Sequence, residues 1–160
     1  VKKTRKIDIS IPKGVDNGTR LRVSEEGEAG EKNGPSGDLY VQLKVKKHKI
    51  FKRDGSDVYL DIPISYSQAC LGDDVQVPTL RGKSKMKITV GTQLNTLFRI
   101  KGKGIHSLRG FGKGDEFVKV VVETPQKLTK KQKELLKEFD KLSKEKPLKS
   151  FLDKIKDVFE

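Results

Sequence analysis

Tryptophan is absent from this sequence, cysteine and methionine occur once each, and histidine occurs only twice. A single thiol, Cys70 in Ser67-Gln68-Ala69-Cys70-Leu71-Gly72, can neither close an internal disulfide nor supply a zinc site alone. A buried structural thiol is the expected role. His48 and His106 lie in no motif that pairs them with a nucleophile or with metal ligands, so a catalytic role is not indicated. Apolar runs are also missing, with nothing approaching the roughly 18 consecutive residues of a membrane span. The first residues, Val1-Lys2-Lys3-Thr4-Arg5-Lys6, lack the apolar core of a secretory signal, which makes a reducing, cytoplasmic location the expectation.

Charge is what the chain has in abundance. Lys and Arg outnumber Asp and Glu by 35 to 22 over 160 residues, a net charge of +13. The excess is spread evenly, +5 over residues 1–50, +4 over 51–124 and +4 over 125–160. An even spread favours a solubilising coat over a nucleic-acid track, although Arg99, Lys101, Lys103, Arg109 and Lys113 can form a local basic patch. The carboxylates are scattered, and Asp73-Asp74 reads as a solvated turn rather than an acid/base pair. Gly102, Gly104, Gly110, Gly112 and Gly114 lack the Lys-Ser/Thr ending and following helix of a phosphate loop, so turns explain them better. No enzyme activity is expected.

Strand periodicity dominates up to residue 124. Ile7, Ile9 and Ile11 alternate with polar residues and predict a half-buried strand ended by Pro12. Asn17-Gly18 predicts a turn from that strand into Arg20-Leu21-Arg22-Val23, making a hairpin. Leu39, Val41, Leu43 and Val45 predict a third strand. Asp54-Gly55 separates Ile50–Arg53 from Val58–Ile64 in a second hairpin, and Ser65 is placed to cap a short helix ending at Gly72. Val75, Val77, Met86, Ile88, Val90, Phe98, Ile100 and Phe117–Val122 supply further strands.

The chain repeats itself at an offset of 77 residues. Leu21-Arg22-Val23 meets Phe98-Arg99-Ile100, Gly27 meets Gly104, Gly37-Asp38 meets Gly114-Asp115, and Tyr40-Val41 meets Phe117-Val118, without a gap. Ile7–Ile11 matches Met86–Val90 once two residues are dropped from the turn between. The second copy carries 35 residues, Phe51 to Lys85, before Met86, while the first has six before Ile7. The first copy is therefore expected to lack its beginning. Of three explanations, a piece of a longer protein, strands supplied by another molecule, or a degenerate copy, the first is favoured.

After Pro125 the period changes. Thr129 and Gln132 have capping-box spacing, and Leu128, Leu135, Phe139 and Leu142 form one stripe. Beyond Pro147, Leu148, Phe151, Leu152, Ile155, Val158 and Phe159 continue at helical spacing. Helices this short need a docking surface. Either the β-module or a second copy of the chain provides it. The domains expected are a remnant of a first β-domain at 1–47, a complete one at 48–124, and a helical tail at 125–160. The fold class is mainly β, two tandem sandwich-like modules with a short helix in the second, followed by the α-helical tail.

Unpaired sheet edges can accept an extended peptide, with pockets for alternate side chains. Binding of polypeptide by strand addition follows as the functional expectation. Against it stand a basic nucleic-acid-binding β-module and a purely structural dimerisation piece.

Ile9–Gly18, Gly27-Glu28-Ala29-Gly30, Gly37–Val41, His48–Gly55, Gly72, Val77-Pro78-Thr79-Leu80, Arg99–Gly104 and Gly114-Asp115 resemble, in order, the C-terminal half of DnaJ co-chaperones. The resemblance implies two β-rich client-binding domains and a C-terminal dimerisation region that present unfolded clients to a DnaK-type heat-shock ATPase. It implies too that a zinc-binding insert splits the first domain, so the parent protein would hold zinc while this stretch, without those cysteines or a J-domain, needs no cofactor. Carried over residue by residue, the client pocket falls on Ile7 and Val41, with Ile9 and Leu43 as neighbours. Ordinary core packing is the competing role for all four. The homodimer contacts fall on Leu135, Phe139, Leu142, Phe151, Ile155 and Phe159.

Overall fold

A computed structural model describes residues 4–30, 34–144 and 146–158. It divides after Glu123 into a mainly β unit and a helical unit that starts at Thr124.

In the β unit the strands are β1 (Arg20–Val23), β2 (Leu39–Gln42), β3 (Lys52–Asp54), β4 (Asp57–Ser65), β5 (Asp73–Thr79), β6 (Gly82–Ile88), β7 (Leu97–Ile100) and β8 (Glu116–Glu123), with helix α1 (Tyr66–Leu71) after β4. Sheet order β3-β4-β8-β7 places β4 and β8 side by side and parallel, Val58 opposite Glu116 through Ser65 opposite Glu123. β5 and β6 form an antiparallel hairpin, and β1 and β2 another.

The alternation of β4 and β8 explains the core. Val58, Leu60, Ile62 and Ile64 point to one face of the sheet, as do Val118 and Val120. Val77, Met86 and Ile88 of the β5–β6 hairpin and Ala69 of α1 join Ile64, Val118 and Val120 in one buried cluster. Val118 and Val120 are fully buried, and each such side chain contributes about 1.5–3 kcal/mol relative to exposure. A second cluster, Phe51, Val58 and Leu60 with Ile62 and Ile105 against them, fills the other end. The turn before Phe51 is held by His48, whose Nδ1 accepts from the N–H groups of Ile50 and Phe51 at 3.3 Å.

Helix α1 is short but fully punctuated. Ser65 Oγ accepts from Gln68 N while Gln68 Oε1 accepts from Ser65 N, a closed capping box. Gly72 ends it at φ +76°, where a Cβ would stand 2.9 Å from the Ile88 carbonyl. Cys70 is half-buried rather than buried, because α1 covers the core with Ala69 and leaves Cys70 at its margin beside Tyr66.

The repeat is reproduced bond for bond. β1 pairs with β2 as Leu21 opposite Val41 and Val23 opposite Leu39; β7 pairs with β8 as Phe98 opposite Val118 and Ile100 opposite Glu116. Gly27 N donates to Gly37 O at 2.7 Å and Gly104 N to Gly114 O at 2.9 Å. Leu43 N donates to Thr19 O at 2.8 Å and Val120 N to Thr96 O at 3.0 Å. The glycine-rich loop of the second copy is thus a set of satisfied turns, as its composition suggested.

The segment Ile7–Ile11 departs from expectation. It forms no strand, and no hairpin joins it to β1. Its counterpart in the second copy, on β6, pairs with β5 and not with β7. No equivalent of β5 lies among the described residues of the first copy, so the alternating isoleucines have no ladder to join. Leu43, Val45 and Val90 also fall outside their expected strands, which stop at Gln42 and Ile88.

In the helical unit, α2 (Lys130–Leu142) begins at Thr129 with the reciprocal Thr129/Gln132 capping box, and α3 (Pro147–Lys154) begins with Pro147 at its first position. A single 3-10 turn, Lys156–Val158, follows.

Candidate functional site

The candidate client residues Ile7, Ile9, Val41 and Leu43 are all half-buried. Val41 is fixed opposite Leu21 by the β1–β2 ladder, and Leu43 by its bonds with Thr19 and Gly18. Ile7 and Ile9 lie on irregular backbone, which Arg5 ties to Glu26 through an ion pair of 3.1 Å. Val41 and Leu43 correspond at the repeat offset to Val118 and Val120, and Ile7 and Ile9, with the two-residue gap in the turn, to Met86 and Ile88, every one of them buried in the second copy.

The comparison between copies identifies what differs. In the second copy α1 and the β5–β6 hairpin close over the inner face of β7 and β8. Around the first copy the described residues provide no such cover, so Leu21, Val23, Leu39, Val41 and Leu43 form an apolar face that stays half open. The opposite face, Arg20, Arg22, Tyr40 and Gln42, is exposed. β8 is bonded on both edges, by β4 and β7, whereas β2 is bonded only to β1 among the described residues.

The loop joining β7 to β8 carries the unusual electrostatics. Asp115 accepts from Arg99 Nε at 2.5 Å and from Gly102 N at 2.8 Å. The Gly102 amide first, and the Arg99 guanidinium with it, hold its carboxyl below the usual range. Arg22 and Asp38 make the same ion pair at 2.6 Å in the first copy. Next to Asp115, Glu116 is fully buried with both carboxylate oxygens unpartnered among the described residues, and burial pushes it up to about 7 despite Lys103 nearby. Sequence reasoning missed Glu116; its alignment with Leu39 at the repeat offset was the available signal.

Also missed was Arg53, whose guanidinium donates to the Val15 carbonyl at 2.7 Å and the Gly14 carbonyl at 2.9 Å. It binds the turn of the first copy to the β3–β4 hairpin of the second. No local pattern signals a bond across 38 or 39 residues.

In the helical unit the proposed contact residues lie largely in the open. Leu135 is 52% exposed, Leu142 75% and Phe151 57%, with Phe139 on the same stripe as Leu135. Ile155 is half-buried at the end of α3, and Phe159 lies outside the described residues. Among the described residues no helix is long and apolar enough to cross a membrane, and no three His, Cys, Asp or Glu side chains converge.

Two family models match the chain, the DnaJ C terminal domain over residues 1–125 and the Chaperone protein DnaJ C-terminal region over 131–160. The chain is 52% identical over 163 residues to the chaperone protein DnaJ of Geobacillus sp. (strain WCH70), covering 99% of this chain and 43% of the relative. It is 56% identical over 147 residues to that of Brevibacillus choshinensis, covering 92% and 39%. The corresponding protein of Halothermothrix orenii is 52% identical over 160 residues, covering 98% and 43%. The chain thus spans about two fifths of the length of these relatives. With both models in register along nearly the whole sequence, the chain belongs to the DnaJ C-terminal domain family.

Proposed function

We propose that this chain is the client-holding and dimerising C-terminal region of a DnaJ-type co-chaperone, which retains unfolded polypeptides for a DnaK-type ATPase and has no enzyme activity of its own. The observation that carries this reading is the half-open apolar face of β1 and β2, where Val41 and Leu43 stay half-buried while their equivalents in the second copy, Val118 and Val120, are closed core. The proposed client contacts are Val41 and Leu43 on this face, together with Ile7 and Ile9 of the preceding segment. Moving a large aliphatic side chain from half to full burial contributes on the order of 1 kcal/mol, so a client presenting several such groups is held weakly and with little regard to its sequence. The edge of β2 opposite β1 offers backbone hydrogen bonds to an extended client, in the place β4 takes beside β8.

The remaining parts of the reading follow the family. The tail joins two copies through Leu135, Phe139, Leu142, Phe151, Ile155 and Phe159, doubling the number of client faces. The parent protein acts in the cytoplasm and holds zinc outside this stretch, which itself needs no cofactor.

The test is suppression of light scattering by a chemically denatured client enzyme. The paired variant Ile7→Ser, Val41→Ser should require several-fold more protein than the parent sequence for the same suppression. Equal potency of the two would sink the assignment of the face.

A further inference from the structure

A cavity of about 340 Å³ opens between the Lys13-Gly14 turn of the first copy and the second copy's Leu80-Arg81 turn and Ile105-His106 loop. Its walls are held in place. Gly14, at φ +89°, sits so close to the His106 carbonyl that a Cβ there would collide with it, and Arg53 fixes the Gly14 and Val15 carbonyls from behind. His106 is paired across the loop with Lys113.

The charge lining this cavity is of one sign. Lys13, Arg81 and His106 line it directly, and Lys113 adds its field at His106. None of Lys13, Arg81 or Lys113 is engaged in an ion pair among the described residues, and the nearby Asp16 faces Arg53 at 3.7 Å. Burial lowers the His106 imidazole from its ordinary range, and Arg81, Lys113 and Lys13 lower it further.

The loop framework does not require His106 or Lys113. At the repeat offset the first copy has Ala29 where the second has His106, Ser36 for Lys113, Glu26 for Lys103 and Glu28 for Ile105. One backbone framework thus carries an acidic loop in the first copy and a basic, partly apolar one in the second. Like charges around a shared hollow repel one another, and an anion there relieves the repulsion.

We infer that this cavity is a binding site for a phosphomonoester-class dianion, with Lys13, Arg81 and His106 around the phosphoryl oxygens and the apolar remainder of the ligand resting on Leu80 and Ile105. Arginine provides the forked donor suited to a phosphoryl group, and lysine a point charge. The loop glycines do not cradle it, since the N–H groups of Gly104 and Gly114 and that of Ile105 are already bonded to backbone carbonyls. Leu80 and Ile105 beside the cations favour an attached apolar body over a bare phosphate ion.

The two histidines give a direct readout by proton NMR of their ring signals. Titration with phenyl phosphate, at ionic strength matched with sodium chloride, should shift His106 saturably and raise the pH midpoint of its titration, leaving His48 in place. Inorganic phosphate should bind about tenfold more weakly than phenyl phosphate. The exposed pair Lys13→Gln, Arg81→Gln, checked for an unchanged Tm, should weaken phenyl phosphate at least tenfold. If that pair is less stable, Arg81→Gln alone should still weaken it severalfold. Shifts that track sodium chloride equally, that move both histidines together, or that survive these substitutions overturn the site. Benzoate binding as tightly as phenyl phosphate overturns the assignment of a phosphoryl dianion.

Discussion

Arg99 donates through Nε to Asp115 at 2.5 Å, locking the start of the β7–β8 loop to its end. Asp115 also receives the Gly102 amide, and its own N–H donates to Asp57 Oδ1 at 2.7 Å. Asp115→Asn removes the charge while keeping the shape. It should lower Tm, and by more than Asp38→Asn, whose carboxylate accepts from the Glu25 amide at the longer distance of 3.3 Å. Because the folded carboxyl is depressed, its stabilisation is complete above the unfolded value of 3.8 and disappears as pH falls below it. Thermal melts of the parent and Asp115→Asn should therefore converge in acid.

Glu116 works in the opposite sense. Folding raises it from 4.5 to about 7, so the folded state holds the proton more tightly and stability falls as pH rises through that window. The loss amounts to on the order of 3 kcal/mol by the neutral end. Glu116→Leu, which installs the residue found at this position in the first copy, should be more stable than the parent at pH 7.5. The difference should shrink toward pH 4.5. Urea unfolding at the two pH values measures both, and a destabilised Glu116→Leu at pH 7.5 would contradict the burial.

Arg53→Ala should separate the Gly14-Val15 turn from the hairpin that holds it. Three hydrogen bonds from a charged, largely covered donor are lost, two of them to the turn, a destabilisation of on the order of 2–3 kcal/mol. Arg53→Lys should recover less than half of it, since an ammonium cannot span two carbonyls and the Gly55 carbonyl with one planar group. Equilibrium unfolding in urea gives the values.

Leu135→Lys with Phe151→Lys places charge on both apolar stripes of the tail. Sedimentation velocity should show the mass change from two chains to one, with helical circular dichroism retained. A dimer that survives this pair refutes the tail as the contact.

What could be read from the sequence was local or periodic. The offset between Gly37-Asp38 and Gly114-Asp115 located both loops, because the aspartates close both of them, and Gly114 permits the close approach of the Ser56 carbonyl in the second. Thr129 and Gln132 announced α2, and Ser65 announced α1, because a cap is a bond over three residues. Ile7–Ile11 misled for the converse reason: alternation supplies a face but not a neighbour, and strands form only in pairs. Arg53 and Glu116 were hidden by the same limit. Their roles depend on segments 38 residues or more away in the chain, and on which end of the sandwich the loop covers.

The parallel pairing of β4 with β8 also sets a clock. Val58 must wait for Glu116, 58 residues further along the chain, before the central ladder of the sheet can close. At a synthesis rate of about 5–20 residues per second, the apolar face of β4 stands uncovered on the nascent chain for roughly 3–12 s. The β3–β4 and β5–β6 hairpins close early, but they leave that inner edge free. The chain thus passes through an interval of apolar exposure each time it is made.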